Sequence, residues 1–253
     1  MSLPREWLQP DWDAPARVRA FVTTRAGGVS NGEYASMNLG SRSGDDAKHV
    51  AGNRAIVREH LPAAPRWMVQ VHGSDVADLD RLDESQVATA DAAIASEPGR
   101  VGVVLTADCM PLFVADRQGT RVGVAHAGWR GMAAGVIENT VAALGTAPES
   151  VMAWMGPTIG PEAFEVGPEV REAFMKDDPG AGEAFRGKAS APGGPQKYLA
   201  DLYALARRRL ARAGVRHVSG GGFCTFSEKD RFFSYRREQK SGRMGAFIWL
   251  EPR

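Results

Sequence analysis

The sequence predicts an α/β fold: a single domain, residues 1–253, with mixed β-sheets flanked by helices. Three observations carry that expectation. Short apolar runs of strand length alternate irregularly with amphipathic stretches of helical period. Residues 111–126 read as a hairpin, which requires antiparallel pairing within the alternation. No linker or internal repeat divides the chain into two self-sufficient cores. This pattern fits mixed sheets better than a doubly wound parallel sheet.

RAFVTT (19–24) reads as the first strand. TTRAGGVSNGEYASMNLG (23–40) is rich in Gly, Ser and Asn and lacks apolar periodicity, so it reads as a long loop of the kind that carries function. Within it Arg25 stands between a strand end and Gly27–Gly28, where a guanidinium can reach a cleft. Residues 45–61 read as a helix: Asp45 or Asp46 caps it, Ala47, Val50, Val57 and Leu61 share a face, and Pro62 stops it. RWMVQVHGSDV (66–76) reads as a buried strand ending at His72 and Gly73, and DAAIA (91–95) as another.

VGVVLTADCMPLFVAD (101–116) is the most apolar segment. Asp108 and Cys109 interrupt it and Pro111 restarts it, so it reads as two strands joined by a tight bend. DRQG turns the chain and TRVGVAHA (120–127) runs back, which brings His126 near the bend that holds Cys109. In VAHAGWRGMAAG (124–135) a strand stops at a His, and a Gly-rich turn opens a helix. α/β proteins commonly place ligands at such turns.

Met132, Val136, Ile137, Val141 and Leu144 mark one helical face, and SVMAWMG (150–156) a strand. GPTIGPEAFEVGPEV (156–170) is a loop entering a short helix near 168–176. Residues 177–196 read as a mobile loop. A helix is expected from about 197 to 213, followed by a short strand in RHVSG and a loop in GGFCTFSEKD. FFSYRREQKSGRMGAFIWL (232–250) gives a basic loop and the final strand.

Composition excludes several classes. The chain is 43% hydrophobic and 24% charged, enough for a core that folds without a metal or disulfide. Its net charge of +1 argues against a nucleic-acid partner, which calls for a basic surplus. No run is apolar enough to span a bilayer, and the N-terminus lacks a signal-peptide core. Two cysteines, Cys109 and Cys224, are too few for a disulfide framework. The expectation is a cytoplasmic protein with reduced thiols, and nothing in the sequence requires an oligomer, so monomer is the default.

Three soft-metal ligands stand at strand ends or bends: His72, Cys109 and His126. Two imidazoles and a thiolate are the three-protein-ligand set of a catalytic zinc, with a fourth position open. They are far apart in sequence, so no local spacing rule joins them, and each residue type taken singly is more often structural.

The motifs QVHGSDV, TADCMPL and VAHAGWRG, with TTRAGGVSNGEYASMNLG and FFSYRREQKSGRM, together resemble one family. It is the laccase-domain or polyphenol-oxidoreductase family, also described as bacterial purine nucleoside phosphorylases and as peptidoglycan-editing factors. The resemblance runs from about residue 20 to 250 and includes GPTIGPEAFEVG and AFIWL. It implies one α/β domain with mixed sheets and a zinc site on His72, Cys109 and His126 in a surface cleft. It also makes Arg25 and Arg243 substrate contacts.

The resemblance implies phosphorolysis of purine nucleosides. Arg25, Arg130 and Arg243 are then available as phosphate partners, and Asp108 can orient a ligand His or act as acid or base. Adenosine deamination is also associated with the family, though the nucleobase-deaminase signature H-x-E…P-C-x-x-C is absent here. A multicopper laccase is the second reading. The chain has five His, and the three outside the proposed site cannot build a multi-copper cluster. Cu²⁺ can nevertheless occupy the same His₂Cys site. A third reading makes Cys109 a nucleophile paired with His126 or His72, in a hydrolase that edits peptidoglycan precursors.

Overall fold

The structure is a computed structural model and describes residues 3–83, 85–189 and 194–253. In chain order the elements are β1 (Val18–Val22), α1 (Ala47–Arg58), β2 (Val76–Asp78), β3 (Ala92–Ala95), β4 (Gly102–Thr106), β5 (Met110–Asp116) and β6 (Val122–Ala127). Then come α2 (Trp129–Ala133), α3 (Val136–Ala143), β7 (Val151–Met155), β8 (Glu165–Val166), α4 (Pro168–Met175) and β9 (Phe185–Lys188). Last are β10 (Lys197–Ala200), α5 (Leu202–Arg212), β11 (His217–Gly220), α6 (Tyr235–Glu238) and β12 (Met244–Leu250).

The strands form three sheets, and the fold is the expected single-domain α/β arrangement with mixed pairing. A six-stranded sheet has the order β11-β7-β5-β6-β3-β2. Its outer pairs, β11·β7 and β2·β3, are parallel and its inner pairs antiparallel. One three-stranded sheet has the antiparallel order β1-β12-β4, and a second three-stranded sheet, of shorter strands, has the antiparallel order β8-β10-β9.

Side-chain alternation along the strands builds the layers. In β5, Leu112 and Val114 face a core shared with α3 and α5, through Ile137, Val141, Leu205 and Leu210. Phe113 and Ala115 face the opposite way, into a second core against Val104, Ala246 and Ile248 of the three-stranded sheet. Phe247 and Trp249 of β12 turn away from that core and pack with Val57, Leu61 and Phe21. Both sheets are therefore covered on both faces. This explains why MGAFIWL and MPLFVAD are buried at every position and read as continuous apolar runs.

The bend expected at Asp108–Cys109 is present, and it does more than turn a hairpin. β4 belongs to the three-stranded sheet and β5 to the six-stranded one, so residues 107–109 carry the chain from one layer to the other.

Four expectations need correction. Residues 66–75 are not a strand: they make only the isolated bridges Arg66–Gly102 and Val69–Thr89. Side chains satisfy their backbone neighbourhood instead. The Gln70 amide donates to the Leu105 carbonyl at 2.9 Å and accepts from the Leu105 N–H at 2.7 Å. The Asp91 carboxylate accepts from the N–H groups of residues 71–73. The helix expected from 197 begins at Leu202, because Asp201 caps it by accepting from the Ala204 N–H at 3.0 Å; Lys197–Ala200 pairs as a strand. The loop expected over 177–196 contains a 3₁₀ turn (Pro179–Ala184) and β9, while residues 190–193 lie outside the described residues. The helix after Gly128 is broken at Gly135, whose φ of 95° is left-handed. No described helix is long and apolar enough to cross a membrane.

Candidate metal centre

Three separate segments deliver His72, Cys109 and His126 to one place. The β5–β6 register sets Pro111 opposite His126 and Met110 opposite Ala127, so Cys109, just before β5, stands beside His126. His72 comes from the irregular segment before β2. One ligand atom from each of the three lies within 4.8 Å of the others. The two imidazole rings meet edge to face at 4.8 Å between centroids.

Asp91, fully buried just before β3, holds this arrangement. Its Oδ1 lies 2.8 Å from His126 Nδ1 and accepts from the His72 N–H at 2.9 Å. Its Oδ2 accepts from the N–H groups of Val71 and Gly73 at 2.9 and 2.8 Å. With Nδ1 of His126 turned to the carboxylate, Nε2 is left for the cluster, the usual orientation of a ligating His. One side chain thus orients one ligand and fixes the backbone of another. The sequence reading missed Asp91; its only signal was a carboxylate opening an apolar strand, DAAIA. Asp108, the residue the sequence suggests for that role, is bonded to Thr225 and the Arg236 backbone instead.

The electrostatics are those of an ion pair. Burial pushes the Cys109 thiol up, but the charge and hydrogen bond of His126, with those of His72, overcome this and bring it down to about 6. Burial likewise pushes His126 down, while the Cys109 charge and the Asp91 hydrogen bond raise it to about 9. Burial raises Asp91 too, yet the bonds from His126, Val71 and Gly73 hold it below the usual carboxylate range.

The two glycines of AGWRG provide space rather than unusual backbone. Gly128 has an ordinary φ of −72° that any residue can adopt. A Cβ there would come within 2.7 Å of Cys109 Sγ and 3.3 Å of His72 Cδ2. A Cβ at Gly131 would meet the Gly73 carbonyl at 2.7 Å. Strain lies elsewhere: His72 and Asp108 are non-glycine residues with φ of 60° and 87°. Such conformations persist only where surrounding contacts enforce them, and they cluster at functional sites.

The cluster opens into a cavity of about 770 Å³. Asp108, Arg130 and Arg243 line it; Arg25 does not and instead lines a separate small cleft with Glu238. The Arg25 guanidinium is held by the carbonyls of Ala35 and Lys229 and by Glu238, and it stacks over Phe233. The Asp108 carboxylate accepts from Thr225 Oγ1 and from the Arg236 N–H, both at 2.6 Å. Arg130 is exposed and lies over Trp129, 4.4 Å from the ring centre. Arg243 is anchored by the carbonyls of Ser241 and Gly242 at 2.6 and 2.9 Å. Burial lowers its pKa, against the opposing pull of Cys109 and Asp108.

The donor set fits a metal. A thiolate and two imidazoles, one of them oriented by a buried carboxylate, are the ligands of zinc and also of copper. This cluster is the one such group among the described residues.

Comparison with known proteins extends the picture. The family model described as "Multi-copper polyphenol oxidoreductase laccase" matches residues 19–251. A Pseudomonas aeruginosa protein named purine nucleoside phosphorylase is 50% identical over 97% of this chain and 98% of its own length. An Escherichia coli protein, purine nucleoside phosphorylase YfiH, is 49% identical over 96% of this chain and 98% of its own. Among solved structures, a Neisseria meningitidis protein superposes with a TM-score of 0.93 at 45% identity, covering 98% of this chain and 100% of that one. YlmD from Geobacillus stearothermophilus superposes with a TM-score of 0.88 at 32% identity, covering 100% and 98%.

Proposed function

The chain belongs to the laccase or polyphenol-oxidoreductase family, and from that premise we propose that it is a zinc-dependent purine nucleoside phosphorylase. It would convert adenosine, inosine and related nucleosides, with phosphate, to the free base and ribose 1-phosphate. A phosphate oxygen bonds to C1′ of the ribose. The C1′–N9 bond breaks, and the purine leaves with the electron pair and takes up a proton. The observation that carries this reading is the soft-ligand cluster His72, Cys109 and His126, set in a cavity lined by five arginines and one carboxylate. The curated relatives supply the reaction named.

When bound on these three residues, zinc supplies a Lewis-acid charge that stabilises negative charge developing beside it. The other tasks fall to side chains. Arg243, with part of its guanidinium committed to Ser241 and Gly242, offers its remaining donors to phosphate, and exposed Arg130 offers a second fork. Tyr235, Trp129 and Phe164 line the same cavity and offer faces for a purine ring. Asp91 holds His126 in the ligating orientation. Adenosine deamination in the same cavity is a further activity of this reading, separated by an assay without phosphate.

The remaining histidines argue against a multicopper oxidase. His49 lies by Asp45, His60 packs edge-on to Trp7, and His217 contacts Arg117. None joins the cluster, so a second copper centre has no ligands here, although Cu²⁺ suits the His₂Cys set. The Cys109–His126 pair also has the chemistry of a thiol hydrolase acting on peptidoglycan precursors, and metal content separates that reading from ours. The setting we assign is the cytoplasm, as a monomer, where Cys109 and Cys224 stay as the free thiols they are here.

The test is metal analysis of purified protein with a phosphate-dependent assay on adenosine and inosine. His72→Ala and Cys109→Ala should each abolish zinc binding and turnover. Full activity in a zinc-free variant overturns the proposal.

A further inference from the structure

Several arginines outside the cavity are neutralised by a carboxylate. Arg25, Arg208, Arg209, Arg231 and Arg237 each pair with a carboxylate. Among the described residues, none of the five that line the cavity does. The one carboxylate on the lining, Asp108, is occupied by Thr225 and the Arg236 backbone.

These arginines do not all serve the metal end. Arg243 feels the charges of Cys109 and Asp108. Its stem lies against Gly40, where a Cβ would come within 2.7 Å of its Cγ. Arg54, which also lines the cavity, feels neither charge: burial alone lowers its pKa. Its Nε and Nη2 donate to the Leu39 carbonyl at 3.0 and 2.9 Å. Its guanidinium carbon lies 3.8 Å from the centre of the Trp67 ring. Nη1 makes no hydrogen bond among the described residues. Arg42, close in sequence to Leu39 and Gly40, is exposed, lines the same cavity and also makes none among the described residues. A half-buried guanidinium locked in place and unneutralised is costly unless a ligand completes it.

A nucleoside with inorganic phosphate beside the cluster leaves this end unmatched. We propose that Arg54 and Arg42, over Trp67, form a second anion subsite for a phosphate monoester carried by the nucleoside itself, so that purine nucleoside 5′-monophosphates are ligands of this cavity. The purine part of the inference rests on the phosphorylase reading; the anion subsite rests on the unpaired arginines. The cavity, about 770 Å³, lies within the roughly 300–1,000 Å³ of small-molecule sites and has room for a nucleotide.

The test compares dissociation constants for adenosine, adenosine 5′-monophosphate and inorganic phosphate on metal-loaded protein, by calorimetry and by quenching of tryptophan fluorescence. The monophosphate should bind about tenfold or more tighter than adenosine, as one charge-assisted contact supplies. The advantage should shrink as salt rises. Arg54→Gln and Arg42→Gln should each bring the ratio towards one, whereas Arg243→Gln should weaken inorganic phosphate and leave the ratio standing. Arg42 is exposed and makes no hydrogen bond among the described residues, so its variant keeps the test open if Arg54→Gln misfolds. A monophosphate no tighter than adenosine overturns the proposal. So does an advantage lost in Arg243→Gln but kept in the other two, since the ester would then sit beside the cluster. Absence of phosphate-dependent adenosine turnover in the wild type sinks the phosphorylase reading alone and leaves this ratio measurable.

Discussion

Asp91 Oδ1 lies 2.8 Å from Nδ1 of His126, and the His126 N–H donates to the Asp91 carbonyl at 2.7 Å. The two residues are therefore joined through both side chain and main chain, while the same carboxylate grips residues 71–73. Asp91→Ala should weaken metal binding by about 10–100-fold, the usual cost of losing such a carboxylate. It should also destabilise the metal-free protein by about 2–4 kcal/mol, because three N–H groups lose their acceptor. Chelator competition and thermal unfolding measure the two effects. The folded pKa of Asp91 is depressed, so its stabilisation is full above the ordinary carboxylate value and is lost as pH falls through the depressed one. The variant should accordingly lose part of the acid limb of the wild-type stability curve.

Gly128→Ala isolates the steric demand of the cluster. The backbone there suits alanine, but its Cβ would sit 2.7 Å from Cys109 Sγ. Metal content should drop at least tenfold while far-UV circular dichroism stays unchanged. Normal metal loading would show that the thiolate can move aside.

Metal uptake should release protons in a defined way. Between pH values of about 6 and about 9 the metal-free site holds a Cys109 thiolate and a protonated His126. A metal needs the His126 nitrogen bare, so His126 gives up its proton on binding in that window, and affinity rises with pH up to about 9. Titration in two buffers of different ionisation enthalpy, or with a pH indicator, reads the stoichiometry. No release from the His126 position would mean that His126 enters neutral.

Asp108→Asn separates positioning from acid–base chemistry. Its left-handed φ of 87° is one that asparagine tolerates, and the amide oxygen can still accept one of the two present hydrogen bonds. A positioning role, through Arg236 and Thr225, should raise KM about 3–10-fold with little change in kcat or in the pH profile. An acid–base role would instead lower kcat by about 10²–10⁴-fold and remove one limb of the profile.

Much of this was legible in the chain. His72, Cys109 and His126 stand out as soft ligands closing apolar runs, but it is the resemblance of the motifs around them that joins them into one site; the Pro111 restart is a local signal, and the bend at Asp108–Cys109 follows from it. Failures came where a side chain replaced a backbone partner. RWMVQV has strand composition, but Gln70 and Asp91 capture the hydrogen bonds that a ladder would use. KYLA kept the spacing of the following helix, and only the Asp201 cap marks where that helix starts. Asp91 carries no pattern of its own; its role exists only once β3 pairs with β6. Arg25 looked like a cleft residue and is one, but of the cleft beside Glu238.

The path of the chain from β4 to β5 across two sheets has a consequence for assembly. Cys109 sits on that crossing, His126 closes the hairpin, and His72 is set by Asp91 on the next strand. β5, β6 and β3 all belong to the six-stranded sheet, so pairing within that sheet already sets the three ligands together. The cavity beside them needs the second layer, because Val103 and Leu105 of β4 and Arg243, just before β12, line it. Docking of the two layers therefore completes the substrate pocket rather than the ligand set.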